Sequence, residues 1–137
     1  MADQFQFSPD GQWVAYNSTE SGRWEVYIAR FPGMKPVTRI SDGGGCQPIW
    51  RRDGNELFYL TLDGKLMSVE MQNGKLELPQ AKKLFASRIR VYPGFAQYAA
   101  DAAGKQFLMI EPDPAAEPPE FGEPIHVMTN WTAKARD

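Results

Sequence analysis

The strongest constraint on this chain is that it repeats itself. FSPDGQWVAY (residues 7–16) and IWRRDGNELFYL (residues 49–60) share one pattern: an aromatic residue three positions ahead of an Asp-Gly pair, and an apolar, strand-like run shortly after it. Setting Asp10-Gly11 on Asp53-Gly54 gives a spacing of 43 residues, and the flanks then match, Phe7 on Trp50 and Val14-Ala15-Tyr16 on Leu57-Phe58-Tyr59. A weaker third copy, YAADAAGKQFLMI, puts Gly104 on Gly54 at a spacing of 50, with Ala103 where the Asp should stand and Phe107-Leu108-Met109 keeping the apolar run. The extra length of this copy lies in SRIRVYPGFAQ. A unit of this size cannot bury its apolar face alone, so a period of forty-odd residues implies supersecondary units stacked on one another.

Each unit carries short strand candidates. WEVYIA (24–29) falls near KLMSVE (65–70), and PVTRIS (36–41) near AKKLFA (81–86), so the first two units hold four strands each. Asp63-Gly64, between ELFYLT and KLMSVE, is a strong hairpin signal, because type I′ and related turns need residues at positive φ; Asn73-Gly74 repeats the device one strand later. No window of 11 or more residues shows a capped amphipathic stripe, so helix content is expected to be near zero. The five prolines between Glu111 and Pro124 forbid a central strand there and predict an extended surface loop.

Four short strands per unit at this period is the signature of propeller blades. FSPDG before an apolar strand, followed by a WEVYIA-type strand, resembles the repeat of TolB-like β-propellers, a WD-repeat-like unit also used by the propellers of prolyl oligopeptidase-type peptidases. SDGGGCQPIWRRDGNELFYLTLDGKLMSVE is similar to blades at the C-terminal end of membrane-anchored bacterial serine/threonine protein kinases, and IHVMTNWTA to the way such chains finish. The resemblance implies an all-β, partial propeller of about three four-stranded antiparallel blades in one segment, at 3–42, 43–87 and 88–131. After Trp131 only TAKARD remains, so the last blade is expected to lack its outer strand.

The physical role of the repeated pair stands without the resemblance. Asp10 and Asp53 are placed to accept backbone N–H groups in the turn between first and second strands, while Gly11, Gly54 and Gly64 supply positive φ. Asp63 belongs to the hairpin turn in the same way, and Ala103 predicts a looser third turn. Arg51 and Arg52 are expected to face solvent.

Candidate chemistry is sparse. Nucleotide-loop, kinase and nucleophile-elbow motifs are missing, and the single His126, in a strand pattern, would have to serve every hydrolase scheme. The expectation is therefore that the chain is not an enzyme, with no catalytic residue, metal or cofactor. Cys46 is the only cysteine, so no intrachain disulfide forms, and with no cationic neighbour in sequence it reads as a small buried residue. Asp42-Gly43-Gly44-Gly45-Cys46 could be an anion nest, but three glycines ahead of a strand read better as a tight crossing between blades. Asn17 and Asn130 match the N-glycosylation pattern.

A net charge of −2 gives no electrostatic footprint for nucleic acid, and no apolar run suggests membrane contact by this segment. The surface with the best claim to binding is the insertion SRIRVYPGF, where Arg88, Arg90, Tyr92 and Phe95 combine charge-assisted donors with aromatic area. These expectations define a recognition or scaffold module for a protein or peptide ligand, set by the resemblance at the extracytoplasmic sensor end of a receptor-like kinase. The alternative is the substrate-filtering propeller of a peptidase. Met1-Ala2 reads as appended directly ahead of a strand, and the close at NWTAKARD favours the first reading. Unpaired edges and open blade faces further predict an oligomer, most simply two three-blade chains completing one ring.

Overall fold

The computed structural model describes residues 1–72, 80–112 and 125–128, and every regular element among them is a strand. Strands β1 (Ala2–Phe7), β2 (Trp13–Ser18), β3 (Glu25–Arg30) and β4 (Val37–Arg39) form one antiparallel sheet in chain order. Strands β5 (Cys46–Trp50), β6 (Glu56–Leu60), β7 (Lys65–Glu70) and β8 (Lys82–Ala86) form a second. The third holds β9 (Tyr98–Ala100), β10 (Phe107–Ile110) and β11 (Ile125–Met128), with β10 in the middle. His126 lies on β11, paired in register with Met109. Asn73-Gly74, Asn130 and residues 113–124 of the proline-rich segment lie outside the described residues.

The period-2 alternation of each second strand distributes its side chains to two neighbours. Leu57 and Tyr59 of β6 join Trp13, Ala15, Val26 and Ile28 in a core between the first and second sheets. Phe58 and Leu60, on the other face of the same strand, join Tyr98, Phe107 and Met109 between the second and third. Phe58 meets Phe107 edge to face at 5.1 Å, and both are fully buried, so each ring contributes roughly 2–3 kcal/mol of burial. A strand buried on both faces needs an apolar residue at every position, which explains the unbroken LFYL of β6.

The repeated Gly closes the first turn of each sheet. Gly11, Gly54 and Gly104 have φ of +69, +75 and +68° and donate N–H to the carbonyls of Ser8, Arg51 and Asp101. The β6–β7 connection is built similarly: Gly64 donates to the Thr61 carbonyl. Gly64 has positive φ and Asp63 does not, so this is a four-residue turn ending in a left-handed glycine instead of a type I′ turn.

Candidate functional site

The first strands of the first two sheets and the residue leading into that of the third share a feature that the repeat alignment contains but its apolar pattern hides. A glutamine stands seven residues ahead of each turn glycine: Gln4, Gln47 and Gln97. Gln4 and Gln47 have left-handed φ of +54 and +57°, each at a bulge where the pairing register shifts, between Asp3 and Gln6 in β1 and between Cys46 and Ile49 in β5. A bulge takes its side chain out of the strand's alternation. Here the freed amides reach one connector, residues 87–97.

That connector is SRIRVYPGFAQ, and its backbone is held from the first two sheets and by its own last residue, Gln97. Gln47 Nε2 donates to the Tyr92 carbonyl at 3.2 Å, and Gln4 Nε2 to the Phe95 carbonyl at 2.9 Å. Gln97 Oε1 accepts from the Tyr92 N–H at 2.6 Å, while Gln97 Nε2 donates to the Arg90 carbonyl at 2.8 Å. The Phe95 N–H closes a turn on the Tyr92 carbonyl. Tyr98 Oη donates to the Gln47 carbonyl at 2.8 Å, and full burial raises the phenol pKa well above its ordinary value.

Arg88, Arg90, Tyr92 and Phe95 all project from this connector, and all four are exposed. Tyr92 and Phe95 are brought together, edge to face at 6.2 Å. Arg88 is partly engaged, its guanidinium 3.7 Å from the buried Glu111, which also accepts the Arg88 N–H. Below the turn a cleft of about 320 Å3 opens between Gln4, Gln6, Gln47, Pro48, Ile49, Ala96 and Tyr98. No charged side chain lines it. Gln4 Oε1 is buried there with no hydrogen-bond partner among the described residues. An orphaned acceptor of this kind costs about 1–3 kcal/mol.

The Asp-Gly turns are occupied by internal bonds. Asp10 accepts the Gln12 N–H and the Ser8 hydroxyl, and these two bonds hold its carboxyl below the usual range. Asp53 accepts from Nε and Nη2 of Arg51, both at 2.8 Å, and from the Asn55 N–H at 3.0 Å, which brings its pKa to about 2, the Arg51 bonds being the larger cause. Asp63 is lowered by Lys65 and then Thr61. Arg51 departs from expectation: Asp53 and Glu56 draw its side chain back over the turn, while Arg52 is exposed. The third turn is not loosened by Ala103 either. Asp101, three residues ahead of Gly104, accepts the N–H groups of Lys105 at 2.7 Å and Gln106 at 3.1 Å, so one carboxylate does what Ser8 and Asp10 share in the first turn.

The triple-glycine stretch is a crossing between sheets. A Cβ on Gly44 would lie 2.7 Å from Leu62, and one on Gly45 would lie 2.7 Å from Ser41. The Gly44 N–H donates inward to Glu25, a fully buried carboxylate that also receives Arg23 and Ser41. Cys46 is buried, and desolvation pushes its thiol up to about 12, so it is not a nucleophile in the folded chain. Asn17 is fully buried between Asp3 and the Gln47 N–H, which removes it as a glycan acceptor.

No protein-family model matches the sequence, and no curated protein matches it. Solved structures do. TolB from Acinetobacter baumannii superposes with a TM-score of 0.64 over 95% of this chain at 13% identity. The β-propeller domain of the trilobed protease from Pyrococcus furiosus gives 0.54 over 92% at 14% identity, and an oligogalacturonate lyase from Vibrio parahaemolyticus gives 0.59 over 78% at 17% identity. The chain spans 30%, 39% and 27% of those proteins, respectively. Three antiparallel meanders stacked face to face, with these likenesses, define a β-propeller segment. Its fold is of the TolB-like kind. The lyase likeness corrects the expectation that the chain is not an enzyme: an enzyme shares this fold, and missing kinase and hydrolase motifs speak only to those chemistries.

Proposed function

We propose that this segment is a recognition module that captures a protein or peptide at the mouth formed by β1, β5 and β9. The observation that carries the reading is the pinned connector. Gln4 of β1, Gln47 of β5 and Gln97 at the connector's end hold the backbone of residues 90–95, so Arg88, Arg90, Tyr92 and Phe95 are presented on a fixed support beside an uncharged cleft. Binding to a pre-organised surface avoids the cost of ordering it. The exposed rings of Tyr92 and Phe95, held edge to face, suit an apolar or aromatic side chain of such a ligand.

The test is selection of peptides from a random displayed library on the immobilised chain, followed by binding to the Arg90→Ala/Tyr92→Ala double variant. Loss of the selected peptides with unchanged circular dichroism supports the site. Undiminished binding moves it elsewhere.

The parent context we propose is the extracytoplasmic sensor end of a receptor-like serine/threonine kinase, resting on the resemblance of residues 41–70. The second reading, a peptidase's filtering propeller, is favoured by the likeness to the trilobed protease domain. Sequencing the genomic region around this chain separates them: a kinase domain and one membrane span support the first, a hydrolase domain the second.

A further inference from the structure

The sequence holds four Asp-Gly pairs, beginning at Asp10, Asp42, Asp53 and Asp63, and Asp-Gly is the dipeptide whose aspartate isomerises most readily. In that reaction the glycine nitrogen attacks the side-chain carboxyl carbon of the aspartate. A C–N bond forms, a carboxyl oxygen leaves as water with its own proton and the amide proton, and a five-membered succinimide results. Water then opens the ring at either carbonyl, returning aspartate or leaving isoaspartate, in which the main chain runs through the side-chain carbon. No oxidant or reductant takes part, and the final mass is unchanged. The step needs a glycine N–H without another bond, and a carboxyl that can swing back onto it and be protonated.

Three of the pairs are held against this. Gly11, Gly54 and Gly64 donate their N–H to the carbonyls of Ser8, Arg51 and Thr61 at 2.8, 2.9 and 3.0 Å. The neighbouring carboxyls are pinned as well: Asp10 by Ser8 and the Gln12 N–H, Asp53 by Arg51 and the Asn55 N–H, and Asp63 by Thr61 and Lys65. Such donors favour the ionised carboxylate, from which no water can leave. Asp42-Gly43 differs at both reacting groups. The Gly43 N–H enters no hydrogen bond among the described residues. The Asp42 side chain is 88% exposed, and its contacts are long, 3.4 Å to Arg39 and 4.0 Å to Arg23. A Cβ placed on Gly43 would meet nothing within 4 Å, so the ring has room to form.

We propose that Asp42 is a self-modification site of the folded chain, where isoaspartate forms by way of the succinimide faster than at the three turn aspartates, and that the product loosens the crossing between the first and second sheets. Isoaspartate adds one main-chain atom just ahead of Gly44 and Gly45. Their N–H groups go to the buried Glu25 at 3.1 Å and to the Trp24 carbonyl at 2.9 Å. Neither glycine has slack to absorb the extra atom, since a Cβ on either would already lie 2.7 Å from a neighbour.

Peptide mapping of the chain after prolonged warm incubation tests the site, with isoaspartate read position by position from fragmentation spectra. The folded chain is expected to accumulate it at Asp42 ahead of Asp10, Asp53 and Asp63, while the urea-unfolded chain forms it at all four at similar rates. Folded chains in which Asp42 is no faster than Asp53 overturn the proposal. So does an Asp42 lead that persists unchanged in urea, because the cause is then local sequence and not the fold. Asp42→Glu, at an exposed position, keeps the charge but would need a six-membered ring, so the product at this position is expected to disappear with circular dichroism unchanged. The same variant tests the consequence. Asn73-Gly74 yields isoaspartate too, by loss of ammonia, and it ages equally in both proteins, so the difference between them isolates position 42. Aged wild type is expected to unfold at lower urea than aged Asp42→Glu, and equal midpoints at substantial conversion of Asp42 overturn the link to the crossing.

Discussion

Gln47 and Gln97, fifty residues apart, bond each other twice: Gln47 Nε2 donates to Gln97 Oε1 at 2.9 Å, and the Gln97 N–H donates to Gln47 Oε1 at 2.8 Å. Both are buried, so the pair ties the second sheet to the third through groups that have no water to fall back on. Gln97→Leu keeps the volume but orphans the Tyr92 N–H, the Arg90 carbonyl and one amide arm of Gln47. At about 1–3 kcal/mol for a buried group left unpaired, with solvent able to reach the connector side, the expected loss is roughly 2–4 kcal/mol. Hydrogen exchange localises it: the Tyr92 amide is expected to exchange faster while amides of β6 slow or accelerate only with global stability.

The three turn glycines make a controlled series. Their φ values nearly coincide, so an Ala at any of them meets the same left-handed strain, roughly 1–2 kcal/mol. Their surroundings differ. A Cβ at Gly11 meets nothing within 4 Å, one at Gly54 touches Pro9 at 3.5 Å, and one at Gly104 lies 2.7 Å from the buried ring of Phe58. Thermal unfolding is therefore expected to rank Gly11→Ala and Gly54→Ala together and Gly104→Ala well below both.

Acid should weaken the chain through its turns. Asp53 has a folded pKa of about 2 against an unfolded value near 3.8, so its contribution is fully present above pH 4 and is lost as pH falls toward 2. The group is about half exposed, and solvent screening keeps the gain to roughly 0.2–1 kcal/mol. Asp10, Asp63 and Asp101 are shifted in the same direction and add to the same acid limb. Asp53→Asn keeps an acceptor for the Asn55 N–H but removes the charge, so its urea midpoint is expected to fall less steeply than wild type between pH 4 and pH 2. Asp53→Ala loses the acceptor too and is expected to cost about 0.5–2 kcal/mol at neutral pH.

The parts of this fold that were legible are those whose cause is local. Asp-Gly turns and the unbroken LFYL of β6 carry their own reasons, so the strands, their antiparallel order and the three stacked units followed from the chain alone. Asp101 was equally local and still missed, because the pattern was sought at the position before the glycine and the substitute stands three before it. The glutamines were missed for a different reason. A polar residue in a strand reads as solvent-facing, and a left-handed bulge at a non-glycine residue has no propensity signature. Arg51 could not be placed without knowing that Glu56 comes back beside it across the β5–β6 turn.

Glu25 offers the sharpest test of what the glycine crossing needs. Its carboxylate is fully buried, yet its ion-pair partner Arg23 has a side chain 53% exposed, so the two ends of one salt bridge live in different dielectrics. Removing Arg23 leaves the carboxylate with the Ser41 hydroxyl and the Gly44 N–H, two donors that already orient it from inside. Removing Glu25 frees Arg23 to reach water at little cost, but it strands both inner donors at the point where Gly44 and Gly45 pass too close to Leu62 and Ser41 for any side chain to fill the gap. Glu25→Ala is therefore expected to lose roughly 2–5 kcal/mol, from two orphaned groups and the vacated volume, and Arg23→Ala no more than about half of that. Glu25→Gln, which keeps an oxygen for one donor, should fall between them in urea unfolding. Equal losses for Glu25→Ala and Arg23→Ala would mean that the charge pair, and not the inner hydrogen bonds, holds the crossing between the first two sheets.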